Sequence, residues 1–366
     1  MVWIPGQARD DYYYMSNILQ LPGLIDIHVH LRDPGQTHKE DFYTGTAAAL
    51  AGGVTTVFDM PNNARPIFSK YALFEKEKIA REKAVCDWGL YFGTDGKNVD
   101  EFAKVKDRVV GLKIYLSLST GNYLVGDDEL LDKIFIRWPK SNVIMAHAQG
   151  AKIAQVIELC KKHGSALHVT HVSTKEDLQK VIQAKKDRLK VTCDVSPHHL
   201  FLTVEDVETL KGFAHVKPSL ATFDDQQFLW EHIKDIDCIA SDHAPHTKEE
   251  KESNNPPFGI PGLETMLPLL ITAMNEKRLT KEDIIRMTNT NPQKIFGLKQ
   301  SVESYVEVNI DQQYEIENEK LKTKCGWSPF AERKVYGRVK RVFVRGTKVF
   351  EEGQVLVSPG FGHPVN

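Results

Sequence analysis

Apolar residues along this chain come in short bursts separated by longer, charged stretches. Eight bursts, at 24–32, 54–58, 87–94, 109–116, 143–147, 166–171, 190–195 and 236–241, have the length and continuity of buried strands. The intervening segments at 41–51, 71–84, 127–136, 151–163, 175–184 and 224–234 read as helices, the first closed by Gly52-Gly53 and the fourth by Gly164. This alternation predicts a parallel sheet. Eight units predict an α/β fold of the closed (β/α)8, or TIM-type, barrel. A doubly wound open sheet competes, and it would gather its ligand residues at one switch point. Here polar residues end the first, second, fourth, fifth, sixth and eighth strands, and those ends converge only if the sheet closes.

Two further helices are expected at 262–275 and 280–289. From about residue 305 the texture changes: 305–308 alternates, and 339–350 reads as a strand, a turn at Gly346-Thr347 and a return strand. The expected organisation is a segment 1–20 contributing to a β appendage, a barrel over 21–300, and a C-terminal appendage over 301–366.

The strand ends carry the candidate chemistry. His28 and His30 lie two apart in the first strand, and residues i and i+2 of a strand share a face. Their imidazoles can therefore meet one metal ion. Lys113 sits inside the apolar fourth strand, where an ammonium is expensive to bury. Carboxylation by carbon dioxide would turn it into an anion able to bridge two metals. His147 ends the fifth strand, and Asp242 the eighth. In the sixth, alternation sends His168 and His171 to opposite faces; His171, at the terminus, is the candidate. Taken singly, each residue also fits a hydrogen-bonded strand end or, for Lys113, an edge strand. Together they mark the C-terminal face of a barrel, where active sites of this architecture form. Nitrogen and oxygen donors without cysteine suit zinc, with manganese or cobalt as alternatives.

Composition narrows the function classes. The chain has 366 residues, 41% hydrophobic and 26% charged, with a net charge of -2. Nothing in that balance draws it to nucleic acid or an anionic membrane. The five cysteines are scattered and never in a CxxC pair, which argues for a reducing compartment, the cytoplasm. Residues 1–20 lack the apolar core of a signal peptide.

The motifs Pro22-Gly23-Leu24-Ile25-Asp26-Ile27-His28-Val29-His30-Leu31-Arg32-Asp33-Pro34-Gly35, Met60-Pro61-Asn62, Gly111-Leu112-Lys113, Ala146-His147-Ala148, His171-Val172, Ser196-Pro197-His198-His199-Leu200 and Ala240-Ser241-Asp242-His243-Ala244-Pro245-His246 resemble those of dihydroorotases in the amidohydrolase superfamily. The resemblance runs from about residue 21 to the C-terminus. It is strongest to the dihydroorotase domain of the multifunctional polypeptide that starts animal pyrimidine synthesis. It implies two zinc ions bridged by N6-carboxylated Lys113, one also held by His28, His30 and Asp242, the other by His147 and His171. It implies Asp242 as catalytic acid and base, and Arg32, Asn62 and His246 as binders of the substrate carboxylate. Lys217 stands where that family has a substrate-binding arginine. The implied reaction is the reversible cyclisation of N-carbamoyl-L-aspartate to L-dihydroorotate, by a homodimer, free or within a larger polypeptide.

The chain departs from the animal-type pattern in several places. No Thr-Phe pair occurs in 117–123, where a substrate-closing loop is expected. Gln149 replaces a glutamate and Phe258 a proline. Thr170 and Asp194 replace a Cys and a Glu that help hold a third metal. Two readings compete: a related cyclic amidase acting on dihydropyrimidines, hydantoins or allantoin, and a catalytically silent dihydroorotase-like scaffold.

Overall fold

The eight expected strands form one sheet in chain order. In the computed structural model, which describes residues 17–117 and 123–365, strand β1 (Ile18–Pro22) belongs to a separate sheet. The barrel strands are β2 (Leu24–Val29), β3 (Val54–Asp59), β4 (Asp87–Gly93), β5 (Gly111–Tyr115), β6 (Val143–His147), β7 (Ala166–Val169), β8 (Val191–Val195) and β9 (Cys238–Ile239). Their hydrogen-bonded order runs from β2 to β9 without a crossover, which rules out the doubly wound alternative. The last strand is shorter than its sequence predicts. Its chain turns out of extended conformation at Asp242, φ 47°.

The β9-to-β2 seam is therefore closed partly by side chain. Ser241 N–H donates to both carboxylate oxygens of Asp26 at 3.2 Å, His30 N–H donates to His243 O at 2.7 Å, and Val29 and His243 form a parallel bridge. Asp26 is fully buried, and burial pushes its carboxyl up to about 7.

Helices follow most strands and are set by local caps. Helix α1 (Phe42–Ala51) starts at Asp41, which exchanges side-chain and backbone bonds with Thr44 in a capping box. Helices α2 (Lys70–Lys83) and α3 (Asp128–Arg137) are capped by Ser69 and Asp127. Helix α4 (Ala151–His163) ends on Gly164 at φ 68°, the left-handed position that favours glycine. Helices α5 (Lys175–Lys186), α6 (Phe223–Glu231) and α7 (Leu263–Asn275) complete the outer layer. The helix expected over 280–289 instead runs through a π-helical stretch, Arg286–Thr290, into Asn291–Phe296.

Two apolar layers result. Outside the sheet, Val57, Leu112, Ile144 and Val191 pack against Leu73, Ile134, Val156 and Leu178 of the helices. Inside it, Ile25, Ile27, Phe58, Tyr91, Met145 and Cys238 fill the barrel, and Phe296 meets Phe58 edge-on at 5.1 Å. The N-terminal half of the barrel is thus a packed plug, and the polar strand ends crowd the other mouth.

Both ends of the described chain build the second sheet, ordered β1-β10-β13-β14-β15 and antiparallel. Here β10 is Tyr305–Asn309, β13 Arg338–Val344, β14 Thr347–Glu351 and β15 Gln354–Val355; β11 (Tyr314–Glu315) and β12 (Lys334–Val335) pair apart. The β13–β14 turn is Arg345-Gly346, at φ 49° and 77°, one residue earlier than expected. Two positive values are what a two-residue type I′ hairpin requires.

Candidate metal centre

His28 and His30 face the barrel mouth because β2 carries an extra residue. Between the Asp26–Val57 and Val29–Asp59 pairs, β2 advances three residues while β3 advances two. Ile25 and Ile27 point into the barrel below this bulge. Above it the phase has switched and the histidines point in, as bulges beside active sites do. Their Nε2 atoms lie 3.3 and 3.2 Å from Asp242 Oδ1. One ligating atom from each of the three residues lies within 4.8 Å of the others.

The second group sits beside the first. His147 Nδ1 is 2.8 Å from His171 Nε2, and the His171 and His28 rings are 5.3 Å apart. Lys113 is fully buried, and its Nζ donates to Thr170 Oγ1 at 3.4 Å; that hydroxyl lies 3.1 Å from His171 Nε2. All six expected metal-site residues thus meet at one mouth.

Contrary to the expectation from the sequence, alternation does not send His168 and His171 to opposite faces. Both rings face the barrel interior. Strand β7 stops at Val169, and His171 adopts φ 38°, which swings its side chain back in. His168 lies deeper, its Nε2 2.9 Å from Asp194 Oδ2 and its Nδ1 2.8 Å from Thr192 Oγ1. Asp194 Oδ1 also accepts the His171 backbone N–H at 2.7 Å. Arg32, His171 and Asp242 all have positive φ, at 62°, 38° and 47°. Such strain in non-glycine residues persists where surrounding packing fixes it, characteristically at functional sites.

Electrostatics prepare the donors. Burial, reinforced by the Lys113 charge, holds His28 well below the usual imidazole range. Burial and Arg32 do the same for His30, and burial and His147 for His171. Neutral imidazole is the ligating form. Burial raises Asp242 while Lys113 and Arg32 pull it down; burial lowers Lys113. The His30 ring is oriented, since its Nδ1–H donates to Asn62 Oδ1 at 2.7 Å and turns the Nε2 lone pair toward Asp242. Buried lone pairs converging on a carboxylate are what a divalent cation satisfies, so the donor set fits a metal.

Above the donors is a cleft walled by Arg32, Asn62, Tyr115, Lys217 and Phe258 among others. Arg32 arrives there by its left-handed turn rather than by strand alternation past His30. Its Nε donates to Pro245 O at 3.1 Å, and its Nη2 lies 3.1 Å from His246 Nε2. His246 is fully buried behind Arg32 rather than in the wall, with Lys39 Nζ 3.1 Å from Nδ1 and Phe258 O 2.9 Å from Nε2. Lys217 Nζ stands 5.2 Å from the Phe258 ring centre. Gly259 brings this rim close: at φ 132°, a Cβ there would fall 2.4 Å from Ala244 O. The loop 118–122, with the expected Thr-Phe position, lies outside the described residues.

The sequence reading missed Tyr115, although it follows Lys113 by two as His30 follows His28. Burial, then the charges of Tyr123 and Asp242, pushes its phenol well above the usual range. It also missed Asp194 and Lys39 as supports for His171 and His246.

A family model described as Amidohydrolase family matches residues 19–308. The chain belongs to this family. Among curated proteins, this amidohydrolase is 44% identical to multifunctional protein CAD of Squalus acanthias over 99% of its own length. It is 42% identical to multifunctional protein pyr1-3 of Dictyostelium discoideum over 96%. It spans only 16% of each of those two relatives. It is 35% identical to the dihydroorotase of Pyrococcus furiosus, covering 93% of this chain and 83% of that protein. Among solved structures, the L-hydantoinase of Arthrobacter aurescens superposes with a TM-score of 0.91 at 27% identity, over 95% of this chain and 88% of that one. The inactive dihydroorotase-like domain of the Chaetomium thermophilum CAD-like protein gives 0.82 at 28%, over 95% and 99%.

Proposed function

We propose that this amidohydrolase is a dihydroorotase, closing N-carbamoyl-L-aspartate to L-dihydroorotate with loss of water, and reopening it, in de novo pyrimidine biosynthesis. The observation that carries this reading is Arg32, a buried guanidinium in the cavity wall beside the six converging donors. A cyclic amide with a carboxylate gives that cation a partner; an uncharged cyclic amide leaves it unpaired.

In this reading His28, His30, Asp242 and carboxylated Lys113 would hold one zinc ion, and Lys113, His147 and His171 would hold a second. Bound zinc would supply water of lowered pKa and a Lewis acid for the amide carbonyl. The chain's residues do the rest. Arg32 and the amide N–H of Asn62 hold the substrate carboxylate, His246 steadies Arg32 from behind, and Lys217 adds positive charge at the rim. Asp242 takes a proton from the attacking water and returns it to the ring nitrogen as the C–N bond breaks. In the biosynthetic direction it takes the ureido N–H proton and delivers it to the departing oxygen.

Five unpaired, buried cysteines support a reducing compartment, the cytoplasm, and no described helix is long and apolar enough to cross a membrane. Homodimerisation and membership of a larger polypeptide belong to the same proposal; sizing of the native protein tests them. One observation favours a second reading, a silent scaffold: the likeness to an inactive dihydroorotase-like domain in a chain without the Thr-Phe pair. The complete donor set supports activity instead.

The test is turnover by zinc-loaded protein of dihydroorotate against dihydrouracil, hydantoin and allantoin, with metal content measured alongside. Preference for dihydroorotate at two metals per chain is expected. Preference for an uncharged amide, or no turnover at full metal content, overturns the proposal.

A further inference from the structure

Tyr115 is a wall residue with a polar side chain for which the proposed function has no use. It ends β5, two residues after Lys113, so alternation brings both side chains to the barrel mouth. The residue is 2% exposed and lines the cavity with Arg32, Asn62 and His147. Its ring centre lies 5.3 Å from Lys113 Nζ and 5.8 Å from the His147 ring. The neighbouring Tyr123 hydroxyl is committed, donating to Asn63 O at 2.6 Å. The Tyr115 hydroxyl is buried and has no hydrogen-bond partner among the described residues.

An unpaired buried hydroxyl costs stability, and phenylalanine would fill the same space without that cost. The oxygen therefore has a use that ligand-free protein does not reveal. A phenol is protonated near neutral pH and can donate one hydrogen bond. The cyclic-amide reading leaves one substrate oxygen without a donor from the chain. Arg32 and Asn62 serve the carboxylate, and no side chain assigned so far serves the oxygen of the attacked carbonyl, which bound zinc would polarise from one side only. Charge develops there as water adds, and a fixed donor aimed at such an oxygen is strongly catalytic.

We propose that Tyr115 is a further catalytic residue, whose phenol O–H donates a hydrogen bond to the carbonyl oxygen of the scissile amide as that oxygen gains charge. No covalent bond to tyrosine forms and its proton is not transferred. The inference rests on the cyclic-amide reading of the site and extends it. Because the donor is aimed at charge that develops during the reaction, it lowers the barrier more than it tightens ground-state binding.

The test compares zinc-loaded wild type with Tyr115→Phe by kcat and KM for dihydroorotate, by the dissociation constant of unreactive orotate, and by thermal unfolding. The expected result is a kcat lower by about 10²-fold or more, KM and orotate affinity within about threefold, and an unfolding temperature unchanged or raised, because an orphan hydroxyl has been removed. A kcat within about threefold of wild type overturns the proposal. So does a loss confined to KM and orotate binding, which would make Tyr115 a carboxylate contact. A clear fall in unfolding temperature also overturns it, by revealing a structural partner. Wild type that prefers an uncharged cyclic amide, with Tyr115→Phe slowed on that substrate, removes the dihydroorotase reading and keeps this one. Wild type that opens no cyclic amide removes both.

Discussion

Asn62 Oδ1 accepts the Nδ1–H of His30 at 2.7 Å and thereby fixes the face that His30 turns to Asp242. Asn62 thus has two uses. Its carbonyl sets the His30 tautomer, and its NH₂ stays available to the cavity it lines.

Asn62→Ala should therefore weaken the metal centre as well as substrate binding. Partners of this kind are worth about 10- to 100-fold in metal affinity. Competition with a chromophoric chelator should show that loss. Affinity equal to wild type would leave Asn62 a substrate contact alone.

Asp242→Asn keeps an oxygen donor near His28 and His30 but removes the proton acceptor. Turnover of dihydroorotate should fall by about 10²–10⁴-fold, the span of a lost general base, with metal content retained. Elemental analysis beside steady-state kinetics checks both halves. Full activity would take the proton transfer away from Asp242.

Arg32→Met should raise KM for dihydroorotate. A charged hydrogen bond is worth about 1.5–3 kcal/mol, or roughly ten- to a hundredfold. An uncharged cyclic amide turned over by the same variant should lose little. Equal losses on both would mean that Arg32 organises the pocket, through Pro245 O and His246, rather than gripping a carboxylate.

Away from the site, Glu264 at the start of α7 accepts the backbone N–H groups of Lys322 and Thr323 at 2.8–2.9 Å. Burial, partly offset by those bonds, raises its carboxyl to about 7 from an ordinary 4.5. The folded state then binds the proton more tightly than the unfolded state. Its contribution is fully present below about pH 4.5 and is lost as pH rises through 7, at up to about 1.4 kcal/mol per pH unit. Glu264→Gln keeps an acceptor and removes the titration. Denaturant unfolding at pH 5 and pH 8 should show the variant gaining on wild type at the higher pH. A constant difference between the two would refute the assignment.

The strand and helix pattern was legible because burial on both faces of a parallel sheet forces continuous apolar runs, and caps such as Asp41, Ser69 and Gly164 act within one turn of chain. Residue type at strand ends likewise marked His28, His30, Lys113, His147, His171 and Asp242. What the sequence could not decide was direction. The β2 bulge, with its extra residue against β3, turns His28 and His30 inward where plain alternation from Ile25 and Ile27 would not. Left-handed turns at Arg32, His171 and Asp242 re-aim three more side chains. His246 withdrew behind Arg32, His168 and Asp194 joined in the interior, and Tyr115 took a place at the wall. Side-chain identity is local to the sequence. Where a side chain points depends on register and backbone strain, which are fixed only when distant strands close on one another.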